Sequence, residues 1–345
     1  MQRSCKWVGA GTNASIEGLG PLLLLLILVA AASFAASCLG TRALIALLRQ
    51  RVVDVPNARS SHIVPTPRGG GIAVVGTIAA VWLALGAAGL VPPSGIVIAL
   101  AAVGLAAICW LDDLRDLSPA IRLLAQFVAV ALGLWALPHG AVFQGWLPRG
   151  VDVVAAALLW VWFANLFNFM DGIDGIDCSE AAAIGIGIVM IAAGDAVLAA
   201  PAIAIVGAAL GFLVWNWMPA RIFLGDVGSV PLGYLLGYLL YELALRGQWQ
   251  PALILPSYFL ADATITLLRR LARGERVWQA HREHFYQRAV QRGLSHAAVV
   301  TWVIAANFVL VACAVAATQG WGFAALFGAA ATVTVLLYVL GRVAR

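Results

Sequence analysis

Charged residues are scarce in this 345-residue chain, in which Asp, Glu, Lys and Arg make up 11% of the sequence and hydrophobic residues 63%. Soluble domains carry roughly a quarter charged residues. Because the apolar content far exceeds what one core can bury, lipid must solvate much of the surface. The composition therefore excludes a water-soluble domain and predicts an all-α, polytopic membrane protein.

Cysteine is also sparse, and no CxxC pair or Cys/His metal spacing occurs among Cys5, Cys38, Cys109, Cys178 and Cys313. Neither a disulfide framework nor a zinc site is therefore indicated. The net charge of +5 does not predict a nucleic-acid partner, because basic loop residues in membrane proteins set topology and contact anionic lipid.

Long apolar runs divide the chain into predicted membrane helices, since a helix needs roughly 20 such residues to cross about 30 Å of hydrocarbon. Eleven runs lie near 20–42, 69–91, 95–111, 119–137, 151–168, 179–194, 196–217, 228–245, 250–268, 298–317 and 322–341. We therefore expect a bundle of about 11 transmembrane helices that forms one membrane-embedded domain over residues 1–345. We expect the first helix to remain uncleaved.

Basic residues predict the orientation of this bundle. With the N-terminus in the periplasm, only Arg3, Lys6, Arg149 and Arg246 of the 21 Lys and Arg residues face outward. This distribution follows the positive-inside rule and places the C-terminus in the cytoplasm. The predicted cytoplasmic segments are 49–68, 112–118, 168–178, 216–229 and 269–297.

Adjacent carboxylates mark the second of these segments. Asp112 and Asp113 follow an apolar run directly, and they repel each other unless a divalent cation or a proton intervenes. One could hold a metal while the other acts as a base or faces phosphate. The alternative is a solvated loop before the helix that Pro119 begins.

Two further segments combine oxygen ligands with glycine. Asn168, Asp171 and Asp174 lie three residues apart, on one helical face or around a helix end. Asp226 follows Gly225 and opens a helix, whose free N–H groups favour anions. Mg²⁺ prefers such oxygens together with substrate phosphates, although an ordinary Asp/Gly turn and a helix cap are the alternatives.

Basic, aromatic and polar side chains in these segments are candidate substrate-binding groups. Arg68 suits a phosphate or a lipid headgroup, and Phe223 could stack on a base. We predict that His281 and His284 share a helical face, where they would bind diphosphate or tune a proton transfer; an amphipathic helix on anionic lipid is the alternative. The substrate-binding set is Arg59, His62, Arg68, Asp174, Asn216, Arg221, Phe223 and His281.

Six strings along residues 54–290 carry a family resemblance. In order, they are DVPNARSSH, PTPRGGG, LDDLRD, NLFNFMDGIDG, FLGDVGS and AHREHFYQ. As a set, they resemble the polyprenyl-phosphate N-acetylhexosamine-1-phosphate transferases of glycosyltransferase family 4 type. That superfamily includes the phospho-N-acetylmuramoyl-pentapeptide transferase and the initiating transferases of O-antigen and teichoic acid synthesis.

The resemblance implies a bundle of ten or eleven helices with a cytoplasmic active site. It implies transfer of a sugar-1-phosphate from a UDP-N-acetylhexosamine to undecaprenyl phosphate, with release of UMP. The cofactor would be Mg²⁺, with Mn²⁺ as a substitute, held by Asn168 and Asp226. Catalytic roles would fall to Asp112, Asp113, Asp171 and His284. Membrane lipid is a further expected partner, and a homodimer is a candidate assembly.

The histidine segment departs from two branches of that superfamily. The peptidoglycan enzymes have a triple-His pattern where this chain has His281-Arg-Glu-His284, which argues against that activity. The closely spaced histidines of the enterobacterial GlcNAc type are also absent. The RSSH, PTPRGGG and AHREHFYQ strings look more like the O-antigen initiating branch that uses FucNAc or QuiNAc.

Two other functions remain open at this stage. A transporter or lipid flippase would place polar groups near the bilayer midplane, whereas the carboxylates here gather at one interface. A membrane phosphatase acting on polyprenyl diphosphate would release phosphate rather than UMP. Direct attack and a two-step path through a phospho-aspartate are both compatible with the residues.

Overall fold

A computed structural model describes residues 16–49, 52–54, 64–115, 117–138, 140–192, 194–277, 279 and 281–342. These residues form thirteen α-helices and one short two-stranded antiparallel ribbon. The ribbon pairs β1 (Val53–Asp54) with β2 (Thr66–Pro67). The helices are α1 (Ile16–Leu48), α2 (Gly71–Ala87), α3 (Pro93–Arg115), α4 (Pro119–Ala136), α5 (Arg149–Met170), α6 (Ile176–Ile191), α7 (Ala196–Asn216), α8 (Asp226–Leu245), α9 (Trp249–Ile254), α10 (Ser257–Ala272), α11 (Phe285–Gln291), α12 (His296–Ala316) and α13 (Gly322–Arg342).

The prediction of a single helix over 250–268 is wrong. The helix is interrupted between α9 and α10, at Leu255 and Pro256. Proline has no N–H to donate, so Pro256 cannot continue the helical hydrogen-bond pattern. The predicted boundary between α6 and α7 is confirmed, and a π-helical turn at Ala317–Trp321, with Gly320 at φ 92°, separates α12 from α13.

Seven helical stretches within the described residues are long and apolar enough to cross a membrane. They are Gly20–Leu48, Pro93–Arg115, Pro119–Ala136, Arg149–Met170, Ala196–Asn216, Asp226–Leu245 and His296–Arg342. The chain is therefore an all-α, multi-pass membrane protein. The count of eleven spans and the orientation of the termini stay predictions.

Helix α8 forms the centre of the bundle and is buried along almost its whole length. Its glycines let neighbouring helices approach closely, as small residues do in membrane bundles. A Cβ on Gly233 would meet the Ala164 Cα of α5 at 3.0 Å. Farther along, Trp160 stacks on Tyr234 at 5.1 Å between ring centroids and donates to its carbonyl oxygen.

The five segments predicted to be cytoplasmic lie together at one end of the bundle. Arg68 links the first of them to Asp113 and Asp226, and Asn216 accepts from the Gly175 N–H at 2.9 Å. Tyr286 donates to the Phe169 carbonyl oxygen at 3.1 Å, which brings in the fifth segment. The functional candidates therefore share one end of the molecule.

The opposite end has polar contacts of its own. Asp152 at the start of α5 accepts from the N–H groups of Val142 and Phe143, at 3.0 and 2.9 Å. Arg246 after α8 forms an ion pair with Asp195 before α7. These contacts satisfy helix termini and connecting loops, and they provide a reference region far from the candidate site.

Candidate active site

The candidate site is built on a close contact between the first turns of α2 and α8. The N–H of Gly71 donates to the Leu224 carbonyl oxygen at 2.9 Å. A Cβ on Gly71 would overlap the backbone of Gly228. The absence of a side chain at Gly71 therefore allows the close approach of α8. This contact sets Arg68 beside Asp226.

Two arginines hold three aspartates in one connected network. Arg68 Nη2 lies 3.2 Å from Asp113 Oδ1 and also contacts Asp226 Oδ1. Arg122 Nη1 lies 3.0 Å from Asp112 Oδ2 and 3.4 Å from Asp226 Oδ2. Asp226 therefore joins both arginines, and residues from α3, α4, α8 and the segment between β2 and α2 meet around its carboxylate.

Asn168 joins this network through α8. Its Oδ1 accepts a hydrogen bond from Ser229 Oγ at 2.7 Å. Ser229 is three residues after Asp226 and so lies on the same face of that helix. Asn168 is thus held against α8 one helical turn from Asp226, and its predicted role as a metal ligand remains a prediction.

Asp171 ends α5 and lies beside the same charges. Burial raises the pKa of the Asp171 carboxyl to about 7; Arg68 opposes the rise, while Asp226 and Asp113 add to it. A carboxyl group with such a pKa can exchange a proton near neutral pH. Its placement agrees with the role predicted for it, which remains a prediction.

The two histidines meet without sharing a helix, so that expectation is wrong. His281 lies in an irregular segment, and His284 directly precedes α11. Their ring centroids are nevertheless 4.9 Å apart. Burial lowers the pKa of His281 to about 4, and His284 and Arg270 lower it further, so His281 is neutral at physiological pH.

A cavity of about 390 Å³ opens beside the aspartate network. Polar residues of α4, α5, α8 and the histidine segment line it, including Arg122, Gln126, Asn165, Asn168, Asp226 and His284. Its volume is within the usual range for small-molecule sites. The described lining offers the Arg122 guanidinium, the Asp226 carboxylate and two imidazoles to a phosphate-bearing ligand, and Arg68 lies behind Asp226 in the network.

Comparison with known proteins agrees with this geometry. Residues 95–244 match the family model described as Glycosyl transferase family 4. The chain is 31% identical over 288 residues to the decaprenyl-phosphate N-acetylglucosaminephosphotransferase of Mycolicibacterium smegmatis, covering 72% of this chain and 71% of that protein. It is also 31% identical over 277 residues to the phospho-N-acetylmuramoyl-pentapeptide-transferase of a Synechococcus species, covering 72% and 74%.

The chain belongs to the polyprenyl-phosphate N-acetylhexosamine-1-phosphate transferase superfamily. A further relative is the probable undecaprenyl-phosphate N-acetylglucosaminyl 1-phosphate transferase of Bacillus subtilis, 28% identical over 281 residues, or 74% of this chain and 75% of that protein. The family-model match runs from α3 to α8. It thus contains the aspartates at 112, 113, 171 and 226 but stops before the histidine segment.

Two predicted substrate-binding residues, Asp174 and Asn216, form hydrogen bonds to backbone groups of connecting loops. Asp174 Oδ2 accepts from the Ala220 N–H at 3.0 Å, and its Oδ1 lies 3.3 Å from His296 Nδ1. Asn216 donates to the Ile222 carbonyl oxygen at 3.0 Å. Asp174 and Asn216 therefore hold connecting loops together, and their roles toward substrate remain predictions.

Arg221 and Phe223 are not among the described residues that line this cavity. The Arg221 guanidinium lies 5.5 Å from the centroid of a Trp215 ring. The backbone of Phe223 pairs with that of Arg68. Arg59 and His62 lie outside the described residues. The binding roles of all four residues stay predictions.

Arg122 and Asp262 are two site residues that the sequence reasoning missed. Arg122 lies near the start of the span predicted over 119–137, and Asp262 lies inside the span predicted over 250–268. The available signal was a single charge inside an apolar run, since such residues are costly in a membrane unless they have partners.

The donor set around Asp226 suits Mg²⁺. In the part of the chain that the structure describes, no three His, Cys, Asp or Glu side chains form a ready metal site. Asn168 and Asp226 nevertheless line one cavity, and among the described residues the buried Asp113 Oδ2 has no hydrogen-bond partner. Because Mg²⁺ completes its shell with water and substrate phosphates, one or two protein carboxylates with an amide oxygen fit it.

Proposed function

We propose that this protein transfers an N-acetylhexosamine-1-phosphate from a UDP-sugar to undecaprenyl phosphate, producing undecaprenyl-diphospho-sugar and UMP. The observation that carries this proposal is the network in which Asp226 joins Arg68 and Arg122 at one end of an apolar bundle. Such a site can bind phosphate groups where a lipid chain enters from the bilayer. The names of the relatives support the same reaction class.

The arginines provide most of the positive charge for the substrates. Arg68 and Arg122 can form charge-assisted hydrogen bonds to phosphate oxygens, which are stronger than neutral ones. Their carboxylate partners fix the orientation of the guanidinium groups before substrate binds, so little reorganisation accompanies the reaction. His281 and His284 lie across the cavity and complete a polar wall.

The two adjacent aspartates differ in their free hydrogen-bonding capacity. Asp112 accepts from the Leu117 N–H at 2.7 Å and pairs with Arg122, so both of its oxygens are occupied. Asp113 pairs with Arg68 through Oδ1, while its buried Oδ2 has no hydrogen-bond partner in the part of the chain that the structure describes. This difference favours Asp113 as the group that orients or activates the polyprenyl phosphate oxygen.

The reaction exchanges one phosphoanhydride bond for another. An oxygen of the lipid phosphate attacks the sugar-bearing phosphorus of the UDP-sugar, and the bond from that phosphorus to UMP breaks. Asn168 and Asp226 would hold Mg²⁺, which supplies charge neutralisation on the diphosphate when bound. A two-step path would place the phosphosugar on an aspartate first.

The cellular setting follows from the sequence and completes the proposal. The basic residues favour a bacterial inner-membrane protein with its active site toward the cytoplasm. The RSSH, PTPRGGG and AHREHFYQ strings favour initiation of O-antigen or related envelope polysaccharides with FucNAc or QuiNAc as the sugar.

A purified-enzyme assay tests the reaction and the site together. The full chain in detergent is incubated with Mg²⁺, undecaprenyl phosphate and a panel of UDP-N-acetylhexosamines, and UMP release is measured. Asp226→Asn should reduce turnover at least about 100-fold, since it removes a charge that both arginines and the metal would use. Asp195→Asn is the matched control, because it makes the same change at the opposite end of the bundle.

The products separate this proposal from its alternatives. UMP and a lipid-linked sugar in equal amounts are expected from at least one UDP-sugar. Inorganic phosphate as the product would indicate a phosphatase instead. The absence of any chemical product with every donor would contradict the proposal and favour a transporter. Asp226→Asn with turnover close to the Asp195→Asn control would remove Asp226 from the site.

A further inference from the structure

Asp262 of α10 is a buried carboxylate whose hydrogen bonds converge on the histidine segment. Its side chain is fully buried, which is costly for a carboxylate unless donors surround it. Oδ1 faces His284 Nδ1 at 3.2 Å and accepts from the Phe285 N–H at 3.0 Å. Thr266 also donates to Oδ1, at 3.3 Å.

The second oxygen of Asp262 is satisfied in the same way. Oδ2 accepts from the Tyr258 hydroxyl at 3.3 Å and from the Tyr286 N–H at 3.3 Å. Four donors apart from His284 therefore point at this carboxylate. Because the Asp262 carboxylate accepts hydrogen bonds, the His284 tautomer with its proton on Nδ1 can donate to Oδ1. The other ring nitrogen, Nε2, then carries the lone pair.

We infer that Asp262 is a positioning residue that holds the His284 ring in the Nδ1–H form, so that Nε2 is offered as a hydrogen-bond acceptor to the substrate. This inference rests on the proposed function, because His284 lines the cavity where the nucleotide sugar and lipid phosphate would meet. The substrate groups that such an acceptor recognises are O–H or N–H donors.

The same contacts could serve only to anchor the start of α11, since Asp262 accepts from two of its backbone N–H groups. The two roles make different kinetic predictions. A residue that acts through His284 has no further effect once that side chain is replaced. A residue that only anchors the helix still destabilises the protein and impairs turnover in the absence of His284.

A double-mutant cycle on the full-length enzyme separates the two. Asp262→Asn and His284→Gln should each reduce kcat for UMP release by about 10- to 100-fold, the usual cost of losing a partner that orients a histidine. The double variant should be no slower than His284→Gln alone. Thr266→Val, which removes a different donor from the same carboxylate, should retain wild-type kcat.

Two kinetic results would overturn the inference. One is a double variant slower than His284→Gln by the full factor that Asp262→Asn causes alone. The other is a wild-type kcat in either single variant. In His284→Gln it would mean that His284 has no role in turnover, and in Asp262→Asn it would mean that Asp262 does not support that role.

A spectroscopic measurement does not depend on activity or on the stability of the Asp262 variant. The wild-type chain, which has five histidines, is labelled with ¹⁵N-histidine, and the His284 signals are assigned by their loss in His284→Gln. A protonated Nδ1 with an unprotonated Nε2 at neutral pH supports the inference, and the opposite tautomer overturns it. If no UDP-sugar releases UMP, the proposed function fails while this result still decides how Asp262 acts on His284.

Discussion

Replacing Gly71 by alanine tests whether the contact between α2 and α8 sets the geometry of the aspartate network. An added Cβ would lie 2.9 Å from the Val227 carbonyl carbon and nearer still to the backbone of Gly228, whereas ordinary contact begins at 3.4 Å. Because only backbone lies opposite, no side chain can rotate away. The nearest atom, Gly228 Cα, would lie 2.2 Å from the added Cβ, so the first turns of the two helices must separate by about 1 Å, and overpacking of this kind costs about 1–3 kcal/mol.

The shift should affect activity as well as stability. Arg68 precedes Gly71 by three residues and Asp226 precedes Gly228 by two, so separation of the helices pulls this ion pair apart. Misplacement by 1 Å can cost about 100-fold in rate, and we expect Gly71→Ala to reduce kcat for UMP release by about tenfold or more. Its midpoint of thermal inactivation in detergent should also fall.

Gly76→Ala is the matched control, because Gly76 lies on the same helix and, its own helix backbone apart, no atom of the described residues lies within 4 Å of its Cβ position. Alanine is favoured over glycine in a helix, so this variant should keep wild-type kcat and be at least as stable. Equal kcat and equal thermal midpoints for the two variants would refute the reasoning, since the α2–α8 contact would then tolerate a methyl group.

The remaining predictions concern a second arginine and a histidine. Arg122→Gln should lower kcat about 10- to 100-fold, because it removes the charge shared by Asp112 and Asp226; Arg246→Gln, at the opposite end, should leave kcat unchanged. Because burial lowers the pKa of His281 from 6.5 to about 4, the unfolded chain binds more protons than the folded one between these values, and stability falls as pH drops through that window. A His281→Gln variant whose thermal midpoint declines as steeply as wild type from pH 6.5 to 4 would contradict this.

The sequence predicts the gathering of the candidate residues because charge has few allowed places in a membrane bundle. Carboxylates and arginines are costly in hydrocarbon, so they concentrate at helix ends. Alternating helices bring Asp113, Asn168 and Asp226 to the same end, although they lie far apart along the chain. The structure agrees, since Asp113 and Asp226 share Arg68, and Asn168 reaches α8 through Ser229.

Other features depend on packing that apolar patterning does not encode. Hydropathy averaged over a window conceals a single Pro256, Asp262 or Arg122 within an otherwise apolar run. The histidines at 281 and 284 have a helical spacing, yet their segment is irregular because Asp262 fixes the start of α11 at Phe285. The sequence also does not predict which backbone segment packs against a glycine such as Gly71, because the contact depends on the tertiary packing.

The sharing of Asp226 between two guanidinium groups has a consequence for how charged substrates enter. A carboxylate has about four acceptor positions, so a cation bound to Asp226 would use positions that the two arginines leave open. Both guanidinium groups would then stay in place beside the arriving phosphate. At no stage does an isolated charge have to lose its hydration without compensation, which removes a barrier that would otherwise slow entry from the lipid side.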